Sequence, residues 1–191
     1  MEKSLQTIDN LPDHIKGTTI PGLYVIERKT FRDHRGFFRE VFRLTDLEAI
    51  GVDFKPVQMN HLVSTPGVIR ALHAEGWNKL VYPVTGIMFA AIVDIRIDSP
   101  TFAKVATFEF DSSGHKALFI PKGLANSVCV VGQEAVHYIY MVDEYYSGKD
   151  TRAIAWNDPD LGINWPVQDP IISDRDRHNP TMRVLFPDRF R

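Results

Sequence analysis

Three side chains that can give, take or stabilise a proton fall on short apolar segments of this chain. They are His73 in V-I-R-A-L-H, Lys79 in K-L-V and Tyr140 in H-Y-I-Y-M. An imidazole accepts a proton near neutrality, a phenol can donate one, and an ammonium stabilises negative charge. Gln58, Asn60 and Arg70 add amide and guanidinium groups suited to a polar ligand. Each residue also has a plainer role. A histidine on an apolar strand is more often a hydrogen-bonded core residue, a tyrosine a satisfied buried aromatic, a lysine a solvated strand end. Asp176, in S-D-R-D-R, is by default a solvated or turn residue. Their co-occurrence on strands of one small barrel points to a polar ligand pocket.

The elements that must position these groups are short β runs. Apolar and β-branched stretches bounded by turn residues predict strands over about 22–28, 36–42, 56–63, 67–73, 79–84, 87–95, 103–110, 116–120, 126–131, 135–142 and 152–156. Pro66-Gly67, Thr85-Gly86, Ser113-Gly114 and Lys122-Gly123 read as turns. One helix start stands out in L-T-D-L-E-A-I-G. Thr45 is the expected cap, Glu48 reaches back and Gly51 ends the helix. Many short strands with few helices predict an all-β sandwich or barrel with a few short peripheral helices. A single domain is expected: a lead-in over 1–20, the barrel over 21–160, and C-terminal loops with a short helix over 161–191. Strict alternation puts Gln58 and Asn60 on one face, and Tyr138 and Tyr140 on one face. It puts Arg70 and His73 on opposite faces, so both reach one cavity only if their strand bulges or ends between them.

Composition narrows the classes. Of 191 residues 44% are apolar, and 22 basic against 24 acidic residues leave a net charge of −2. With no block of like charge, nucleic-acid binding is not expected. The single cysteine, Cys129, excludes an intramolecular disulfide and cysteine-built metal sites. The longest apolar run, Ile87 to Val93, is too short to cross a bilayer, and M-E-K-S-L-Q-T-I-D-N has no apolar signal region. A cytoplasmic protein without membrane association is the expectation. A metal is not expected either. A barrel metal site wants two histidines and a glutamate on one strand and another histidine after a later turn. Here L-H-A-E-G offers His73 and Glu75 alone, and P-K-G-L-A-N carries Asn126 where the last histidine would stand. His61 and His137 would contribute only by coincidence.

Several segments together resemble a known family. They are F-R-D-H-R-G-F-F-R-E (31–40), Q-M-N (58–60), V-I-R-A-L-H (68–73), K-L-V (79–81), V-D-I-R-I-D-S-P-T-F (93–102), I-P-K-G-L-A-N (120–126), W-N-D-P-D-L-G-I-N-W-P (156–166) and I-S-D-R-D (172–176). In order and spacing they are similar to the dTDP-4-dehydrorhamnose 3,5-epimerase family. The resemblance implies a cupin-type jelly-roll barrel, without cofactor or metal, acting on a nucleotide-linked 4-keto-6-deoxy sugar. It implies that His73 abstracts the proton, Asp176 orients it, Tyr140 is the opposing acid and Lys79 stabilises the enolate. Arg70 would bind the diphosphate, and Gln58, Asn60, Arg35, Glu40, Asn126, Tyr146 and Arg175 would contact the ligand. A homodimer with strand exchange is implied, Arg35 coming from the partner. The aromatic segment G-F-F-R-E-V-F supports this, carrying more aromatic surface than an edge strand should expose.

The implied roles suit the reaction. A C–H beside a ketone is a weak acid, and its removal leaves charge on the carbonyl oxygen. A histidine oriented by a carboxylate, an ammonium at that oxygen and an acid on the opposite ring face meet those needs. The chain departs from the family pattern at Asn126 where many members have histidine, at Glu75 where glutamine is usual, and at the apolar M-F-A-A (88–91). An acidic position after Tyr146 is matched only loosely by Asp150. Inversion at a single centre, a non-catalytic sugar-nucleotide barrel and a metal cupin are the alternatives.

Overall fold

The computed structural model describes residues 11–148 and 152–190. Its strands are β1 (Ile15–Gly17), β2 (Tyr24–Glu27), β3 (Thr30–Asp33), β4 (Gly36–Arg39), β5 (Gln58–Ser64), β6 (Ile69–Ala74), β7 (Lys79–Pro83), β8 (Ile87–Asp94), β9 (Val105–Asp111), β10 (Lys116–Ile120), β11 (Leu124–Val131), β12 (Val136–Val142) and β13 (Arg152–Ala153). The helices are α1 (Leu44–Ala49), α2 (Asp174–Arg177) and α3 (Met182–Leu185). One sheet runs β1-β2-β10-β7-β12-β5 and faces a second, β13-β6-β11-β8-β9, while β3 and β4 form a separate hairpin. The pairings are antiparallel with long crossovers, the arrangement of a jelly roll.

Three apolar layers explain why several strands read as continuous runs rather than as alternations. Val81, Met88, Ile92, Leu118, Val128 and Tyr138 fill the space between the sheets. Leu47, Ile50 and Phe54 from α1 and the segment after it cover Leu80, Tyr82 and Phe119 on the outside of the first sheet. Leu161, Ile172, Met182 and Phe186 from the C-terminal segment cover Ile69, Leu72 and Cys129 on the outside of the second. A strand covered on both faces has no solvent face to keep polar, so β7 is buried at all five positions.

Some boundaries differ from the sequence reading. Part of the expected lead-in forms β1, which pairs with β2, and β3 was not anticipated. Residues 1–10 and Asp150 lie outside the described residues. The α1 cap is Arg43, and no side chain caps it, so Thr45 lies inside the helix. Gly51 does end it. At φ +71° its N–H reaches the Glu48 carbonyl and that of Val52 reaches Leu47, satisfying the last carbonyls. At the β7–β8 turn, Gly86 has φ +72° and a Cβ there would lie 3.0 Å from the Ala135 carbonyl oxygen. Only glycine suits that turn.

Candidate active site

The strand β6 bulges where its side chains need to change face. His73 pairs with Asn126 of β11, but Arg70 pairs with Val128, so Ala71 and Leu72 together oppose Ser127. Both residues of the bulge pack outward in the C-terminal layer. Arg70 and His73 consequently line one hollow despite their odd spacing. The C-terminal segment ties off the bulged backbone. Ile171 bridges Val68, the Leu72 and Ile154 backbones exchange hydrogen bonds, and Asn179 Nδ2 donates to the Ala71 carbonyl at 3.3 Å. Ser127 Oγ accepts from Ala91 N–H at 2.8 Å and donates to the Ala91 carbonyl at 3.0 Å.

The same contacts bring Asp176 beneath His73, 103 residues earlier. Ser173 caps α2 by accepting from the Asp176 N–H at 3.1 Å, and Asp176 itself is 3% exposed. Its Oδ1 lies 2.7 Å from His73 Nε2, and Oδ2 accepts weakly from the Ala71 N–H at 3.4 Å. Burial works against its charge. The hydrogen bond and charge of His73, with Ala71 and Asn179, outweigh that and hold the carboxyl below the usual aspartate range. An ionised Asp176 can only accept, so Nε2 carries the imidazole proton and Nδ1 is the basic atom.

The hollow has a volume of about 100 Å³ and is lined by Arg70, His73, Glu75, Lys79, Asn126 and Tyr140, with apolar neighbours and Tyr138. Lys79 is 6% exposed. Its Nζ donates to Glu75 Oε2 at 2.9 Å and to Asn126 Oδ1 at 3.3 Å, and stands 4.9 Å from the Tyr140 ring centre. Asn126 Nδ2 donates to the His73 carbonyl at 2.6 Å and to Glu75 Oε2 at 3.2 Å. Glu75 is half-buried, which opposes its charge, but Lys79, His73 and Asn126 hold its carboxyl below the ordinary range. Burial and the nearby Glu75 charge push the Tyr140 phenol up against a smaller opposing pull from Arg70, so it keeps its proton at neutral pH. Burial takes Tyr138 up to about 12. Arg70 crosses between the sheets, its Nε donating to Ser64 Oγ at 2.9 Å.

The remaining sequence candidates divide into two groups. Gln58 and Asn60 do not themselves line the hollow, but they share the inner face of β5 with Leu62, which does; they are bonded to each other at 3.0 Å, with Asn60 opposite Tyr140. The Tyr146 N–H donates to Gln58 Oε1 at 3.3 Å, and its exposed ring meets the edge of Trp77. Arg35, Glu40 and Arg175 do not line the hollow. Arg35 is bound to Asp33 on the exposed hairpin, Glu40 is bound to Arg43, and Arg175 is exposed on α2. The sequence reading weighed Glu75 as a metal-ligand type and as a departure from the family pattern, not as a site residue, and missed Asn179. The capping pattern Ser173-x-x-Asp176 was a usable sign that this segment is helical.

His61 and His137 face each other on the outside of the first sheet, 3.1 Å apart. Among the described residues no group of three or more His, Cys, Asp or Glu side chains could hold a metal. A larger open groove of about 780 Å³, lined by Arg96, Lys122, Arg152 and Phe186 among others, shares only Glu75 with the hollow. It contains none of His73, Lys79 and Tyr140, all three of which line the small hollow.

A cupin-type jelly roll whose hollow carries a histidine–carboxylate pair, a protonated phenol and an ammonium defines a carbohydrate isomerase. The sequence profile described as dTDP-4-dehydrorhamnose 3,5-epimerase matches residues 17–183, and the chain belongs to that family. It is 41% identical over 164 residues to the dTDP-4-dehydrorhamnose 3,5-epimerase of Shigella flexneri, covering 83% of this chain and 90% of that protein. The crystal structure of the Bacillus anthracis enzyme of that name, with TDP and PPi bound, is similar at TM-score 0.84 and 36% identity, over 88% of this chain and 98% of that one. That of the Legionella pneumophila dTDP-6-deoxy-D-glucose-3,5-epimerase in complex with dTDP-4-keto-L-rhamnose has TM-score 0.85 and 31% identity, over 91% and 95%.

Proposed function

We propose that this protein inverts C3 and C5 of a nucleotide-linked 4-keto-6-deoxy sugar, a step of deoxysugar biosynthesis. The observation that carries the reading is the convergence of His73, Lys79 and Tyr140 on one small hollow, with Asp176 bonded behind His73. In this reading Nδ1 of His73 removes the proton beside the ketone, and the Asp176 carboxylate stabilises the imidazolium that forms. Lys79 donates to the carbonyl oxygen as it gains charge. Tyr140 supplies a proton from the opposite ring face, so the centre inverts. Arg70 meets the diphosphate, and Gln58, Asn60, Asn126 and Tyr146 contact the rest of the ligand. No cofactor enters this scheme.

The working unit in this reading is a homodimer that exchanges strands in the cytoplasm. Two features support it: β5 lies at the edge of its sheet, and the β3–β4 hairpin exposes Phe31, Phe37 and Phe38 at 54%, 60% and 65%. A hairpin carried to a partner's edge would bring Arg35, Glu40 and the same aromatic face to the partner's site. Arg175, exposed on α2 beside Asp176, would contact the ligand as the resemblance implies. No helix among the described residues is long and apolar enough to cross a membrane.

Incubation with dTDP-4-keto-6-deoxyglucose in deuterium oxide tests the reaction directly. Label at both C3 and C5 is expected, and its disappearance in His73→Ala. Binding without label would identify a sugar-nucleotide binding barrel instead, and label at one centre a mono-epimerase.

A further inference from the structure

The geometry points to Glu75 as a specificity-determining residue that reads the hydroxyl next to the substrate's ketone. This rests on the epimerase reading above and names the sugars it would accept. Glu75 lines the hollow together with His73, Lys79 and Tyr140. Both hydrogen bonds that it accepts, from Lys79 Nζ at 2.9 Å and Asn126 Nδ2 at 3.2 Å, end on Oε2. Oε1 carries no hydrogen bond among the described residues and is an open acceptor with a full negative charge behind it.

An α-hydroxy ketone presents a matching pair. Its carbonyl oxygen accepts and its neighbouring hydroxyl donates, the two oxygens lying about a hydrogen bond's length apart. The Lys79–Glu75 pair offers a donor and an acceptor side by side: Nζ is held 2.9 Å from Oε2, and the free Oε1 belongs to the same carboxylate. With Lys79 on the C4 oxygen, the Glu75 carboxylate falls beside a substituent on a carbon flanking C4. In a 4-keto-6-deoxy sugar one flanking carbon carries a methyl group and the other, C3, a hydroxyl. Only the hydroxyl can donate, so the register of the ring is set with O3 on Glu75. A donor at C3 is thus required, and a sugar lacking it leaves that carboxylate oxygen without a donor.

Glu75 is unsuited to proton transfer from carbon. It is ion-paired and its carboxyl is held below the usual range, which makes it a poor base. A role confined to neutralising Lys79 is the simpler alternative, and it predicts no dependence on the substrate's 3-hydroxyl.

The test is a cycle of enzyme against substrate, reading solvent deuterium entry at C5, a centre that both substrates possess. The substrates are dTDP-4-keto-6-deoxyglucose and its 3-deoxy analogue. In the wild type, removal of the 3-hydroxyl is expected to lower kcat/KM for C5 exchange about 100-fold. In Glu75→Gln the same removal should cost about fivefold or less. If Gln fails to fold, Glu75→Asp retains the charge but shortens its reach by one methylene, and is read the same way. Equal losses in wild type and variant would overturn the Glu75 role while leaving the epimerase reading intact. Absence of C5 exchange by the wild type on the parent substrate would overturn both.

Discussion

Replacing Asp176 by asparagine separates the charge of the His73 partner from its shape. The carboxylate sits 2.7 Å from His73 Nε2 and is almost wholly buried. When His73 takes a proton, the two charge centres lie about 4 Å apart. At the effective dielectric of about 20 that suits such sites, their attraction is roughly 4 kcal/mol. An amide forgoes most of it, and about 1.4 kcal/mol per decade turns that into a roughly 10³-fold loss of rate. A second effect works in the same direction. Where the amide oxygen keeps the place of Oδ2 against the Ala71 N–H, the amide NH2 of the variant faces His73 Nε2 and also Asn179 Nδ2. That imposes the tautomer with the proton on Nδ1 and removes the basic lone pair. The assay is deuterium exchange at C3 and C5 by NMR, on protein whose circular dichroism and melting match the wild type. A fall in kcat of about 10³ to 10⁴ with little change in KM is expected. Exchange within tenfold of the wild type would refute the assignment of Asp176 as the partner that stabilises the imidazolium.

Tyr140→Phe should keep deuterium exchange while the yield of inverted product drops at least about tenfold, because the base remains and the opposite-face donor is gone. Equal losses of exchange and inversion would place Tyr140 elsewhere in the reaction. Ser127→Ala strands the buried Ala91 N–H and C=O at the bulge, at a cost of about 2 kcal/mol. A melting temperature lower by roughly 4–8 °C should be seen calorimetrically. Acid should destabilise the fold through Asp94, Asp176 and Glu75, whose carboxyls are all held below their ordinary values of 3.8, 3.8 and 4.5. Their contribution is complete above those values and is lost as pH falls through the lower folded ones, so a melting series should drop steeply below about pH 4. Cys129 is fully buried and its thiol is pushed up to about 11 by burial. Iodoacetamide at about pH 8 should label it only after denaturation.

The fold class was legible in the chain because short β-branched and aromatic runs, punctuated by glycine and proline, permit little else. The identities of His73, Lys79 and Tyr140 were legible as chemistry-bearing types on those runs, and the resemblance supplied their partners. Local pattern carried less at the edges. β1 and β3 are too short and polar to announce themselves, and Thr45 resembles a cap but lies inside α1 because the chain enters the helix at Arg43.

What only the tertiary structure decided is the convergence of the site. Alternation along a strand is a local rule, and it separates Arg70 from His73. The bulge that reunites them exists because Ser127 opposes two residues and the C-terminal segment satisfies the displaced backbone. Asp176 reaches His73 across 103 residues, and Asn126 reaches Glu75 across 51. Sequence supplies the donors and acceptors, but a pairing so distant has no periodic signature. It appears only when two sheets and a covering tail bring separate strands within hydrogen-bond range.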